Sequence, residues 1–145
     1  MSEASAISDG ELILRHVPRD PDLRTGAHVQ RITSANFQLR KSETGVSVTR
    51  WSITSPRQLL SQLAALPKSR VTADSRVIAA KVGTIRSLGF RVEAAPTESD
   101  LGHAEIRSGT ADLKSRGMRR RLKQLFRFVD FSQYDCLQAE KPETR

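Results

Sequence analysis

Residues 28–51 read HVQRITSANFQLRKSETGVSVTRW, and how this stretch is parsed decides the fold. Its second half, Gly45-Val46-Ser47-Val48-Thr49-Arg50-Trp51, alternates β-branched with polar residues, the period-2 pattern of a half-buried strand. Its first half puts Val29, Ala35, Phe37 and Leu39 on one parity, with Arg31 and Thr33 interrupting the apolar side. Between them Lys41-Ser42-Glu43-Thr44-Gly45 is turn chemistry, ending in a glycine free to take positive φ. The stretch is therefore expected to be a β-hairpin. Arg31, Thr33, Ser34, Asn36, Ser47 and Thr49 concentrate hydrogen-bonding groups on that scaffold.

Outward from the hairpin, the pattern alternates short strands with helices. Upstream, Glu11-Leu12-Ile13-Leu14-Arg15-His16-Val17 reads as a strand stopped by Pro18. Downstream, Ser55 is placed to cap a helix with Pro56 at its first position. Leu59, Leu60, Leu63 and Leu66 recur at helical spacing, and Pro67 ends the element. The run Val77-Ile78-Ala79-Ala80 fits a buried strand or a helix start equally. Residues 81–88 read as a helix closed by Gly89, residues 90–95 as a strand closed by Pro96, and residues 103–107 as another strand. Met118, Leu122, Leu125, Phe126 and Val129 then define one face of a C-terminal helix.

These elements predict a single small α+β domain, with a mixed or antiparallel sheet of about five strands and two or three packing helices. Residues 1–10 are expected to be a disordered N-terminus, 11–135 the domain, and 136–145 a flexible tail. A chain of 145 residues is long enough to bury a core without metal or disulfide support. The single Cys136 cannot form an internal disulfide, and no apolar run reaches membrane-spanning length. The N-terminal segment lacks the features of a secretory signal, so a cytoplasmic, bacterial, soluble protein is expected.

The formal net charge is +8, and arginine outnumbers lysine. Guanidinium presents a planar fork of donors suited to phosphate, so a polyanionic partner, RNA slightly ahead of DNA, is the leading expectation. The charge concentrates in the C-terminal helix. Arg116, Arg119, Arg120, Arg121, Lys123 and Arg127 fall in twelve residues that contain no acid. That pattern forgoes every i,i+4 ion pair and suits a nucleic-acid-binding face. The ordinary alternative is the solvated side of an amphipathic helix.

Two further constellations carry possible chemistry. In a strand His103, Glu105 and Arg107 share one side while Ala104 and Ile106 share the other. A histidine beside a carboxylate suits acid–base catalysis, with His103 and Glu105 as the pair, and Arg107 suits a phosphate or developing anion. Arg31, Thr33, Ser34 and Ser47 supply the donors of a phosphate or nucleotide site. Against that, Thr, Ser and Asn commonly bond their own local backbone. No phosphate-binding glycine loop and no zinc-ligand spacing occurs, so neither a metal nor a cofactor is expected.

The order of small motifs resembles a family of short uncharacterised bacterial proteins. The matching pieces are the strand ending in Arg15 and Pro18, Arg31-x-Thr33-Ser34-Ala35-x-Phe37, Val46-Ser47-Val48, Leu88-Gly89-Phe90-x-Val92, and Gly102-His103-Ala104-Glu105-Ile106. They span residues 11–107, and the basic helix beyond Arg116 is more highly charged than the resemblance implies. The resemblance implies that Arg31, Ser34, Ser47 and His103 meet in space. Three functions stay open: a nucleic-acid binder in a toxin or defence setting, a metal-independent ribonuclease or nucleotidyl- or ADP-ribosyl-transferring toxin, and an interaction module. The last would dock a protein partner or a second copy through the amphipathic helix.

Overall fold

The computed structural model describes residues 6–17, 32–39, 43–67, 71 and 75–129. Six strands form one antiparallel sheet: β1 (Leu12–Val17), β2 (Gly45–Arg50), β3 (Arg76–Lys81), β4 (Arg91–Ala94), β5 (His103–Arg107) and β6 (Arg127–Phe128). Their order across the sheet is β4-β5-β2-β1-β3-β6. Three helices, α1 (Pro56–Ala64), α2 (Val82–Ser87) and α3 (Arg116–Lys123), complete an α+β architecture. No helix among the described residues is long and apolar enough to cross a membrane.

β2 is the strand expected from its alternation, but the hairpin is not formed over the described part of its first arm. β2 pairs instead with β1 through Ile13↔Arg50 and Leu14↔Thr49, and with β5 from Gly45↔Arg107 to Thr49↔His103. Residues Ser34–Phe37 make a single 3-10 turn. The polar residues that interrupted the pattern are its cause. Asn36 Oδ1 accepts from the Thr33 amide at 2.8 Å, and the Asn36 amide donates to the Thr33 carbonyl at 3.1 Å. These local bonds replace a ladder. The turn drives Phe37 fully into the core. Val29 and Arg31 lie outside the described residues.

One face of the sheet carries the main core. Ile13, Val46, Val48, Ile78, Val92, Ala104 and Ile106 pack there with Phe37, Val82, Ile85, Leu113, Leu122 and Phe126. Each of these side chains larger than alanine, fully buried, contributes roughly 1.5–3 kcal/mol of transfer free energy. The opposite face is covered by α1 over β1 and β3, where Leu14 and Val77 meet Leu59, Leu60 and Leu63. α1 begins in a full capping box: Ser55 Oγ accepts from the Gln58 amide, and Gln58 Oε1 accepts from the Ser55 amide. It ends before Leu66, whose side chain is 55% exposed, so that residue leaves the apolar stripe its spacing suggested.

The open choice at Val77-Ile78-Ala79-Ala80 resolves as strand β3, paired along its whole length with β1. α2 follows directly and stops at Gly89, whose φ of 107° only glycine adopts without strain. The packed chain begins before the expected boundary at residue 11. Ile7 is buried in the main cluster, and the Gly83 amide donates to the Asp9 carbonyl at 2.8 Å.

The C-terminal helix is shorter than its apolar spacing implied. α3 ends at Lys123, and Arg127–Phe128 turns into the edge strand β6 through Ile78↔Phe128 and Ala79↔Arg127. The reason is that its apolar residues serve two faces of the sheet. Phe126 meets the Phe37 ring in the main core at 4.9 Å with the planes tilted by 45°, whereas Val129 packs with the Leu14–Val77 cluster beneath α1. A single helix cannot reach both sides, and the free edge of β3 supplies the Val77 carbonyl, which accepts from the Val129 amide at 2.8 Å. Phe131, Tyr134 and Cys136 lie outside the described residues.

Candidate nucleic-acid interface and a polar strand face

α3 is set by its ends and its one apolar stripe. Ser115 caps it, Oγ accepting from the Met118 amide at 3.2 Å. Met118 and Leu122, four residues apart, turn inward, and Leu122 has no exposed surface. At about 100° per residue, Arg116, Arg120 and Lys123 then fall on the outward side, with Arg119 and Arg121 flanking it. Arg116, Arg120 and Arg121 are exposed. Arg119 is partly held by the protein: Nη1 donates to the Leu113 carbonyl at 2.8 Å, while its buried Nε has no partner among the described residues. Arg127 lies beyond the helix but belongs to its end, where Nη1 donates to the carbonyl of the C-cap Gln124 at 3.2 Å.

Among the described residues none of these six cations forms an ion pair. Three of them, Arg120, Arg121 and Lys123, stand in the last turn, where the negative end of the helix dipole offsets part of their mutual repulsion.

The second surface is the half of the sheet that none of the described helices covers. β5 places Ala104 and Ile106 in the core and His103, Glu105 and Arg107 on the other face, as alternation requires. His103 Nδ1 is 2.9 Å from the Ala95 carbonyl, and Nε2 is 3.3 Å from Ser47 Oγ. A carbonyl only accepts, so Nδ1 carries the proton. In the neutral ring Nε2 then accepts from the Ser47 hydroxyl. The backbone, not Glu105, orients this imidazole. Glu105 is held by Arg107 instead, through Nε and Nη2 at 2.9 Å. Arg107 also reaches Glu93 at 3.0 Å, and Glu93 takes Arg91 at 3.1 Å. Four charges of both signs thus close on one another, and Arg107 is occupied by carboxylates. Gly45, opposite Arg107, makes room for this: a Cβ there would lie 2.9 Å from both Arg107 Cγ and Glu105 Oε1.

Arg15 is the residue that the sequence reading passed over. β1 and β2 stop pairing after Leu14↔Thr49, and the Arg15 guanidinium fills the gap where they diverge. Its Nε donates to the Asn36 carbonyl at 2.8 Å and its Nη1 to the Ser47 carbonyl, with the guanidinium over the Phe37 ring at 5.9 Å. The 3-10 turn, Arg15, Ser47 and His103 therefore form one continuous hydrogen-bonded chain. The signal available in sequence was a lone arginine between apolar residues of a strand. Of the expected cluster, Ser47 and His103 meet, Thr33 sits at the turn Arg15 reaches, Ser34 opens that turn, and Arg31 is outside the described residues.

These two surfaces occupy opposite faces of the sheet. α3 packs on the side of Ala104 and Ile106, and the His103 imidazole stands on the other. Among the described residues no group of three or more His, Cys, Asp or Glu is placed to hold a metal ion. The chain matches no protein-family model, no curated protein and no solved structure.

Proposed function

We propose that the protein binds nucleic acid through α3 and Arg127. One observation carries this reading: an outward stripe of Arg116, Arg120 and Lys123 that has no acidic partner among the described residues. Four or more unpaired cations on a short helix repel one another in the free protein, and bound phosphates relieve that repulsion. RNA is the favoured partner, with the same electrostatics open to DNA. The stripe is built on a helix whose inner side is fixed by Leu122 and Met118, so the cations are displayed by a rigid element.

The test is the salt dependence of oligonucleotide binding. Each neutralised phosphate releases condensed counterions, so log affinity falls linearly with log salt, with a slope of about −0.7 per contact on single strands. Arg116→Glu with Arg120→Glu removes about two contacts and flattens the slope by roughly 1.4. Glutamate suits the helix dipole at position 116, in the first turn, and opposes it at 120, in the last, so the thermal midpoint of the variant is measured beside the slope to separate charge from stability. Equal affinity of variant and wild type at low salt would move the function away from α3. Salt-tolerant association with a protein or a second copy would then be the reading.

A second reading is favoured by the His103–Ser47 pair. An imidazole with a fixed tautomer and its Nε2 set against a hydroxyl is equipped to take a proton from that Ser47 hydroxyl or from a substrate's that displaces it. Its place on the face opposite α3 makes it a separate site. His103→Ala that abolishes an RNA-cleaving or transferring activity while keeping the thermal midpoint would support it, and full retained activity would remove it.

A further inference from the structure

The stripe of cations on α3 leads to an aromatic ring. β6 is the outermost strand beside β3, and both of its residues are exposed, Phe128 retaining 40% of its surface. Phe128 is in register with Ile78, which lies in the main core cluster with Leu122 and Phe126. Paired residues of an antiparallel ladder point to the same side, so the Phe128 ring stands on the face that α3 covers. Arg127 pairs with Ala79 and so starts from the other side of the strand, but its guanidinium reaches back to donate to the Gln124 carbonyl that ends α3, which joins the two elements. Phosphate-binding groups thus run for about 10 Å along the helix from Arg116 to Lys123, continue at Arg127, and stop at an exposed ring.

A cationic track alone suits any polyanion, whereas the ring discriminates. In a duplex the bases are already stacked on each other and offer only their edges. In a single strand every base has a free π-face, and stacking on an aromatic side chain is favourable for all of them. The two neighbouring phenylalanines, Phe37 and Phe126, are fully used by the core, and among the described residues Phe128 is the phenylalanine left exposed.

From this juxtaposition we infer that the ligand of this surface is single-stranded nucleic acid, with one base stacked on Phe128 and the adjoining phosphates on Arg127 and the α3 stripe. The inference rests on the reading of α3 as a phosphate-binding surface and adds to it the class of strand. It also separates two roles: the cations supply salt-dependent affinity, and the ring supplies preference for unpaired bases.

The experiment compares oligouridylate with a duplex of equal length by fluorescence anisotropy. The proteins are wild type, Phe128→Ala, Phe128→Trp and the Arg116→Glu/Arg120→Glu variant. Phe128→Ala is expected to weaken oligouridylate binding by about 5- to 150-fold, leave duplex binding unchanged and preserve the salt slope, because no phosphate contact is lost. Phe128→Trp is expected to bind at least as well as wild type, its indole emission being quenched by oligouridylate beyond any change from Trp51 in the wild type. That quenching decides the matter if Phe128→Ala alters the thermal midpoint. Unchanged oligouridylate affinity in a folded Phe128→Ala protein, or no quenching in Phe128→Trp, overturns the inference. If the charge-reversed helix loses binding while Phe128→Ala does not, α3 stands as a polyanion surface and the stacking role falls. If neither loses binding, both readings fall together.

Discussion

Glu11→Gln is the substitution whose cost can be worked most directly from the structure. Glu11 precedes β1 and meets Arg50 at the end of β2, their side chains 16% and 8% exposed. Oε1 accepts from Arg50 Nε at 3.0 Å and from Ser52 Oγ at 3.1 Å. Oε2 accepts from Arg50 Nη2 at 2.7 Å and from the Ser8 amide at 3.3 Å. Removing the carboxylate takes the charged partner from a buried guanidinium that keeps its bond to the Ala6 carbonyl at 3.1 Å, and loss of one member of a buried ion pair costs about 3–5 kcal/mol where nothing replaces it. The glutamine carbonyl still accepts one bond and the site touches solvent, so the lower end, ~3 kcal/mol, is expected. For a chain of this size that is a fall in melting temperature of roughly 6–12 °C. The pH dependence supplies the internal control. Burial by itself raises the Glu11 pKa, but hydrogen bonds from Arg50, Ser52 and Ser8 and the Arg50 charge outweigh it and hold it below the ordinary 4.5. A depressed folded-state value means the stabilisation is complete above the unfolded pKa and is lost as pH falls through the folded one. The gap between wild type and Glu11→Gln in urea titrations should therefore be full at neutral pH and close in acid below that depressed value. A gap that is absent at neutral pH, or that persists unchanged in strong acid, would refute the account of this pair.

Two pairs of substitutions test the fold at other points. Gly89→Ala places a Cβ 2.4 Å from Thr110 Oγ1 at a φ of 107°, and should cost about 1–3 kcal/mol in urea titrations, whereas Gly117→Ala meets only Ser115 Oγ at 3.8 Å and should add up to about 1 kcal/mol of helix propensity; a destabilised Gly117→Ala would mean that α3 begins elsewhere. Leu59→Ala, at a buried site, should cost about 2–5 kcal/mol, and Leu66→Ala, at an exposed one, should stay within about 0.5 kcal/mol; equal losses would put the apolar face of α1 in the wrong place.

What the sequence determined by itself was local. Ser55-Pro56 spelled a capped helix, Gly89 spelled a helix end, and the alternation His103-Ala104-Glu105-Ile106-Arg107 spelled a strand with its polar side outward. Each of these is decided within a few residues, by a cap, a φ angle or a period, so it can be read without knowing the neighbours. The α+β class follows from their sum. Tertiary structure decided the rest. Residues Ser34–Phe37 have apolar parity for a strand, yet they turn, because Asn36 can satisfy Thr33 locally while Phe37 finds Phe126, a ring 89 positions away in the chain. The apolar spacing from Met118 to Val129 suits one helix, yet the chain leaves it after Lys123, because β3 offers an unpaired edge and the last apolar residues belong to different faces. At the candidate sites the same division holds. The exposure of Arg116, Arg120 and Arg121 follows from their helical spacing, whereas the bridge from Asn36 through Arg15 and Ser47 to His103 depends on two strands diverging. Long-range pairing chooses which edge and which partner each segment meets, and no local pattern encodes that choice.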